Sequence, residues 1–412
     1  MKQRGSIRFV LFLLAICSAS AFCCRKTNAT GKEMKEELKM ESVAISNNGF
    51  AIDLYKHLGD GNIFFSPYSI SSALAMTYAG AKGNTAAQMS QALHFKSIGE
   101  GLHRGYSEIT RILNQKGEKG DFELSVANAL WAQKDYKFLD SFLKITRESY
   151  GAEVNRVDFV TQTEEARKTI NDWVSRKTKE KIKDLIASGM LTSQTRLVLV
   201  NAIYFLGNWQ SQFDEKATEE GEFHIDKGKT VSVPMMHKDS RFKYGENDKA
   251  QMLELPYKGG EISLVVILPK RIDGLNDLEK DLSVESLNAW FSTMVDEQVS
   301  VALPKFKLTS QFRLDSALKR LGMVDAFEPE AADFSGMTGK RDLFISAVIH
   351  KAFVDVNERG TEAAAATAVT MMLTAMPEHP RRFVADHPFI FLIKENATGC
   401  ILFMGRLVNP SA

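Results

Sequence analysis

The stretch from Glu358 to Pro377 constrains this chain more than any other, because it carries no charge after Glu362 and no proline before Pro377. It passes through a glycine, Gly360, into a run of small residues and then into valine, threonine and methionine. Surface loops are usually marked by Gly, Pro, Asn, Asp and Ser, so this composition is unusual for a fixed loop. Alanine favours a helix, whereas the Val, Thr and Met part tolerates a strand.

As a strand, the stretch has two faces of uniform character, because successive side chains point to opposite sides. One face is small or apolar throughout: Thr361, Ala363, Ala365, Thr367, Val369, Met371 and Leu373. The other face starts with a carboxylate: Glu362, Ala364, Ala366, Ala368, Thr370, Met372 and Thr374. Such a strand could lie in the middle of a sheet with Glu362 facing out, but the stretch alone leaves helix and strand open.

Other segments resemble a known protein family, and this resemblance decides between helix and strand. The run GTEAAAAT at 360–367 and the segment DHPF at 386–389 resemble the reactive-centre hinge and closing signature of the serpins, the serine-protease-inhibitor superfamily. NIFFSPYSISSALAMTY at 62–78, GAKGNTAAQMSQALHF at 80–95 and LGMVDAF at 321–327 are also similar to serpin segments. The resemblance covers residues 42–412. It implies an α+β serpin fold, a single large domain with three β-sheets, about eight or nine helices and an exposed reactive-centre loop at about 358–382.

The resemblance also implies two groups of residues that hold the main sheet. The first is a shutter of hydrogen bonds: Ser66, Ser69, Asn201 and His350. Asn201 interrupts the apolar strand predicted at 197–209, where a buried amide needs partners, although each of these residues alone would more often be an ordinary satisfied core group. The second is a breach at one end of the sheet: Trp209, Lys305 and Glu358. Lys305 and Glu358 match a family ion pair, and the alternative is a surface pair that contributes little.

Serpins act as suicide substrates, and the resemblance implies the same mechanism here. A serine protease cleaves the loop, and the cleaved loop inserts into the central sheet before the acyl-enzyme can hydrolyse. Insertion requires a small and flexible hinge: Glu358, Gly360, Thr361, Glu362, Ala363, Ala364, Ala365, Ala366 and Thr367. In the family the scissile bond follows the fifteenth residue when the hinge glycine is counted as the first. Counting from Gly360 gives the bond Thr374–Ala375. A shift in register would place it after Leu373 or Met372.

The residue before this bond predicts the class of protease. Thr374 is small and neutral, so an elastase-, subtilisin- or chymotrypsin-like enzyme is expected rather than a trypsin-like one. A non-inhibitory serpin that acts as a carrier or chaperone, and an inhibitor of cysteine proteases, remain alternatives. The chain contains none of the G-x-S-x-G, H-E-x-x-H, C-x-x-C or Walker motifs. We therefore predict no enzyme activity, no catalytic residue, no metal and no cofactor.

The charge balance predicts the kinds of partner that the chain lacks. Lys plus Arg is 52 against Asp plus Glu 51, so neither a nucleic-acid surface nor a polybasic membrane patch is expected. Heparin is not an expected partner, because the basic residues between 103 and 119 alternate with glutamates. We expect a monomer that binds a serine protease.

The amino terminus resembles a targeting segment. Basic residues precede an apolar run at 9–16, and Ala19-Ser20-Ala21 follows as a small-x-small cleavage site. We therefore predict a signal peptide at 1–21, a flexible leader at 22–41 and secretion to the extracellular space. A periplasmic or lipid-anchored form is the alternative in a bacterial host, because cysteines lie nearby.

Overall fold

The structure is a computed structural model, and it describes residues 31–117, 122–361 and 380–411. Ten α-helices lie within these ranges. They are α1 Gly31–Tyr55, α2 Pro67–Tyr78, α3 Gly83–Ala92, α4 Leu102–Gly117, α5 Asp140–Tyr150, α6 Thr163–Lys177, α7 Leu275–Asp281, α8 Val284–Ser292, α9 Asp315–Arg320 and α10 Ser335–Thr338.

The strands of the same ranges form two hydrogen-bonded sheets. They are β1 Ile63–Phe65, β2 Phe122–Gln133, β3 Val154–Val157, β4 Leu197–Asn208, β5 Glu219–Asp226, β6 Lys229–Glu246, β7 Ala250–Pro256, β8 Ile262–Pro269, β9 Val295–Pro304, β10 Phe306–Arg313, β11 Ala347–Asn357, β12 Gly360–Thr361, β13 Arg381–Val384, β14 Phe389–Glu395 and β15 Ile401–Leu407.

One sheet, which we call the central sheet, has six strands in the order β10-β11-β12-β4-β2-β3. The other has nine strands and follows the order β1-β15-β14-β8-β7-β6-β9-β13, with β5 paired to β6. The predicted α+β serpin fold is confirmed. Three sheets were predicted, but the described strands form two, because the long strand β6 pairs with β9 and β5 and, at its far end, with β7, all within one sheet.

The two faces of the central sheet are covered differently. One face packs on the nine-stranded sheet, and Val354 and Phe205 belong to that large core. The other face, with Val200 and Ile349, packs under α6 and the chain that follows it. Ile170, Trp173, Val174, Ile182 and Ile186 recur at helical spacing and predict one helix over 169–186, but α6 ends at Lys177.

Two local predictions concern the amino-terminal half. Ser66-Pro67 before an apolar run predicts a helix with Ser66 as its cap and Pro67 at its first position. The structure confirms both, because Ser66 accepts a hydrogen bond from the Ser69 N–H at 3.1 Å and Pro67 begins α2. Helix α1 begins at Gly31, within the stretch predicted as a flexible leader.

Within the described ranges, no helix combines the length and hydropathy that crossing a bilayer requires.

Candidate functional site

The hinge begins inside the central sheet. Strands β11 and β4 are parallel and pair directly from Ala347 and Val198 to Phe353 and Tyr204. Beyond Phe353 and Tyr204, towards the carboxyl ends of both strands, β12 lies between them and is antiparallel to each. We call this gap between β11 and β4 the slot. Two residues of the predicted hinge, Gly360 and Thr361, thus already occupy the slot in the uncleaved chain.

Gly360 is required at the entrance to the slot. Its φ of 151° lies in a region that other residues rarely adopt. A Cβ at this position would lie 2.0 Å from the carbonyl oxygen of Gly207 on β4. The predicted flexible glycine therefore has a second, steric role, because only a residue without a side chain lets the hinge approach β4 this closely.

The predicted breach residues surround the same point. The indole of Trp209 donates to the carbonyl of Asn357 at 2.9 Å, and its backbone N–H donates to the carbonyl of Arg359 at 2.9 Å. The ring of Trp209 also stacks on Tyr257, with ring centroids 4.6 Å apart. Trp209 therefore ties the end of β4 to the chain on both sides of Glu358.

In the ion pair between Lys305 and Glu358, the glutamate carboxylate is buried and the lysine is part-exposed. Lys305 Nζ lies 2.9 Å from Glu358 Oε2, and the Glu358 side chain is only 7% exposed. The hydroxyl of Thr218 also donates to Glu358 Oε1 at 2.7 Å. Burial opposes ionisation of Glu358, but the hydrogen bonds from Lys305, the backbone and Thr218 outweigh it, so the pKa of this carboxyl is lower than usual. This arrangement differs from the exposed surface pair that the sequence left open.

We expect Lys305→Ala to lower the free energy of unfolding by about 1–3 kcal/mol, because it leaves the buried Glu358 carboxylate without its cation. Lys307→Ala is the matched control. Lys307 pairs with Asp355 at 2.9 Å, but its side chain is 63% exposed. Its loss is expected to cost about 0.5 kcal/mol or less. Urea unfolding measures the loss of stability in both variants. Equal losses would show that the breach pair contributes no more than a surface pair.

The structure brings the four predicted shutter residues into one buried network. His350 on β11 lies directly opposite Asn201 on β4, and its Nδ1–H donates to Asn201 Oδ1. Its Nε2 accepts a hydrogen bond from the Ser66 backbone N–H at 3.1 Å. Asn201 Nδ2 donates to Ser69 Oγ at 2.7 Å, and Ser66 Oγ donates to the Leu402 carbonyl at 2.6 Å. The network therefore fastens β11, β4, α2 and β15 to one another.

The shutter requires a neutral His350. One ring nitrogen donates and the other faces an N–H donor, so a second ring proton has no acceptor. Burial lowers the pKa of this imidazole to about 3, against a smaller opposing effect of its hydrogen bond to Asn201.

Three residues of the site were missed by the sequence reasoning: Asn128, Thr218 and Tyr257. Asn128 lies opposite Asn201, and its Oδ1 accepts hydrogen bonds from Asn201 Nδ2 at 2.6 Å and Ser69 Oγ at 3.0 Å. The apolar run at 126–131 predicts a buried strand and Asn128 interrupts it, so the signal that singled out Asn201 is also present here. No comparable pattern marks Thr218 or Tyr257.

Several predicted residues lie outside the part of the chain that the structure describes. These are the hinge residues Glu362, Ala363, Ala364, Ala365, Ala366 and Thr367 and the reactive bond Thr374–Ala375. In the described ranges, no group of three or more His, Cys, Asp or Glu side chains could hold a metal ion.

Comparison with known proteins shows the family. Residues 45–410 match the model described as serpin, a serine protease inhibitor, and the chain therefore belongs to the serpin family. It is 46% identical over 384 residues to the human leukocyte elastase inhibitor, and the match covers 90% of this chain and 100% of that protein. The leukocyte elastase inhibitor of Xenopus tropicalis is 44% identical over 381 residues, with the same coverage.

Solved structures agree with this assignment. Uncleaved ovalbumin is 32% identical with a TM-score of 0.80, and the match covers 89% of this chain and 100% of ovalbumin. Serpin48 of the insect Tenebrio molitor is 34% identical with a TM-score of 0.79, and the match covers 92% of this chain and 100% of Serpin48.

The relatives contradict one prediction, that the chain carries a signal peptide and is secreted to the extracellular space. Leukocyte elastase inhibitors are intracellular, cytoplasmic serpins, and their full length aligns with 90% of this chain. The prediction rested on a short apolar run between basic and small residues at 1–21. The secreted location is therefore wrong, and its periplasmic and lipid-anchored alternatives are not supported.

Proposed function

We propose that this protein is a suicide-substrate inhibitor of serine proteases, with elastase-like enzymes as its targets. One observation carries the proposal: β12 already lies in the slot between the parallel strands β11 and β4, antiparallel to both. A parallel pair inside a sheet can accept a third strand between its members, because an antiparallel strand can form a hydrogen-bonded ladder with each neighbour.

The register of β12 defines where an inserted loop would lie. Gly360 and Thr361 pair with Asn357 and Val356 on β11 and with Asn208 and Gly207 on β4. Continued along β11 and β4 past the slot, this register would put Thr367 between His350 and Asn201, which now face each other. Insertion would therefore replace the hydrogen bond between His350 and Asn201 with a strand carrying a threonine hydroxyl.

The two faces of the loop suit the two faces of the central sheet. Thr361 points towards Tyr257 on the side of the large core, and Thr367, six residues later, would point the same way. Ala366 and Ala368 would face the opposite side, next to Ala202 and Val200, where α6 and the following chain already pack. Alanine is small enough to enter beneath that layer, so the small-residue run is explained by packing.

The chemistry of trapping belongs to the protease. Its serine oxygen attacks the carbonyl carbon of Thr374, and the serine proton passes through the protease's histidine to the nitrogen of Ala375 as the peptide bond breaks. Thr374 then remains joined to the serine as an ester, which is the acyl-enzyme. Insertion of the released hinge then adds ladder hydrogen bonds and buries the small face, and the attached protease is carried along. The inhibitor supplies no catalytic group, so we propose that the protein is not an enzyme.

The proposed specificity rests on Thr374 and on the relatives. A small neutral residue before the scissile bond suits an elastase-like pocket, and the proteins that this chain resembles are named leukocyte elastase inhibitors.

The proposal is tested by mixing the protein with neutrophil-type elastase, subtilisin, chymotrypsin and trypsin. We expect a covalent complex with elastase that survives a denaturing gel, and a released peptide that begins at Ala375 by mass spectrometry. We also expect a large rise in the melting temperature of the cleaved protein. Cleavage with neither a stable complex nor a rise would favour a carrier or chaperone instead.

Thr374→Arg is expected to redirect inhibition from elastase to trypsin, because trypsin-like enzymes require a basic residue before the bond. Met376→Arg is the matched control. It adds the same charge before Pro377, where trypsin does not cleave, so we expect no trypsin complex. If Thr374→Arg is neither cleaved after residue 374 nor inhibitory to trypsin, the assigned bond is wrong.

A further inference from the structure

The second residue of β12 makes a buried contact with the other sheet. The hydroxyl of Thr361 lies 2.6 Å from the hydroxyl of Tyr257, and both residues are fully buried. Tyr257 follows β7, and its backbone N–H donates to the Ile262 carbonyl at 2.9 Å, so its backbone belongs to the nine-stranded sheet. The contact therefore connects the entrance of the slot to the nine-stranded sheet.

The ring of Tyr257 packs against two aromatic neighbours. It stacks on Trp209 with an interplanar angle of 14°, and Phe205 meets it edge-on with centroids 4.9 Å apart. These neighbours lie at the end of β4, one wall of the slot. The Tyr257 hydroxyl is therefore aimed at a fixed point in the slot, and within the described residues Thr361 is its partner.

We propose that Tyr257 and Thr361 form a latch that keeps Gly360 and Thr361 in the slot before cleavage, so that Tyr257 acts as a positioning residue for loop insertion. This inference rests on the inhibitory function proposed above. It adds a residue from outside the loop and outside the predicted shutter and breach.

The latch affects the rate of insertion through the start of strand pairing. Pairing is cooperative, and the first contacts order the chain before later ones stabilise it. With β12 already in place, the cleaved loop only has to extend an existing ladder. Without the Tyr257 hydroxyl, the Thr361 hydroxyl is buried and unpaired, which favours withdrawal of β12 from the slot. Insertion then has to begin again while the acyl-enzyme hydrolyses.

The first test is a double-mutant cycle of Tyr257→Phe and Thr361→Val. In each single variant we expect the ratio of cleaved, released inhibitor to covalent complex to rise about fivefold, because one buried hydroxyl has lost its partner. In the double variant both hydroxyls are absent, and we expect the ratio to return to within about twofold of the parent. A general loss of ring packing at Tyr257 would not be rescued in this way.

Tyr244→Phe is the matched control for this cycle. Tyr244 lies on β6, and its hydroxyl accepts a hydrogen bond from Gln251 at 2.8 Å, away from the slot. We expect no change in the ratio. A cycle without rescue, or an equal effect of Tyr244→Phe, would overturn the latch.

Hydrogen exchange tests the latch without any protease. In the intact protein we expect the amides of residues 356–361 to exchange about fivefold faster in Tyr257→Phe and at the parent rate in the double variant. Unchanged exchange in Tyr257→Phe overturns the latch, whatever the gels show. If exchange responds as expected but the parent forms no covalent complex, the latch exists and the proposed inhibitory function fails.

Discussion

Thr367→Arg is expected to turn the protein from an inhibitor into a substrate. By the register of β12, residue 367 would lie between His350 and Asn201, both fully buried, on the side of the large core. A guanidinium there would be a buried charge with no carboxylate partner in the shutter network. Such a charge costs several kcal/mol. Since about 1.4 kcal/mol is a factor of ten, the yield of covalent complex should fall by about 100-fold or more while cleavage continues.

Glu362→Arg is the control with the same new charge on the opposite face. Residue 362 would pair with Asp355, whose side chain is part-exposed, so the arginine keeps access to water and gains a nearby carboxylate. We expect its inhibition to stay within about threefold of the parent. Gel assays with elastase and melting of the cleaved proteins compare the two. Normal complex formation by Thr367→Arg would mean that Thr367 does not enter between His350 and Asn201.

The shutter shows what sequence could and could not predict. Ser66 as a helix cap and Asn201 as a polar interruption of a buried strand are both visible as local patterns. That Asn201 touches His350, 149 residues away, is decided by the parallel register of β4 and β11, which no local pattern encodes. Only the family resemblance predicted that these residues form one group. Their individual hydrogen bonds are seen only in the structure.

The chain after α6 shows a different limit. Ile170, Val174, Ile182 and Ile186 are all buried and follow helical spacing, which predicted one helix. The helix ends at Lys177, and Lys179, Glu180 and Asp184 adopt positive φ without any glycine to mark the change. The side chains of Ile182 and Ile186 are buried because the chain crosses the central sheet there. Residues that are buried by tertiary packing can thus follow helical spacing without forming a helix.

The free energy of unfolding is expected to fall as the pH drops below about 6.5, and His350 should account for a defined part of the loss. Its pKa is about 3 in the folded chain, against an ordinary value of 6.5. Between these values the unfolded chain binds a proton at this position and the folded chain does not, so protonation stabilises the unfolded state. The contribution is at most about 1.4 kcal/mol per pH unit.

His350→Gln separates this contribution from that of the other histidines. A glutamine amide can donate to Asn201 Oδ1 and accept from the Ser66 N–H, as the neutral ring does, but it does not titrate. Urea unfolding between about pH 7 and pH 4 should therefore show a shallower slope for the variant, by about 1 kcal/mol per unit. Parallel curves would mean that folded His350 already binds the proton. The same imidazole lies where β11 meets β4 and where Thr367 is proposed to enter, so acid lability and loop insertion depend on one contact.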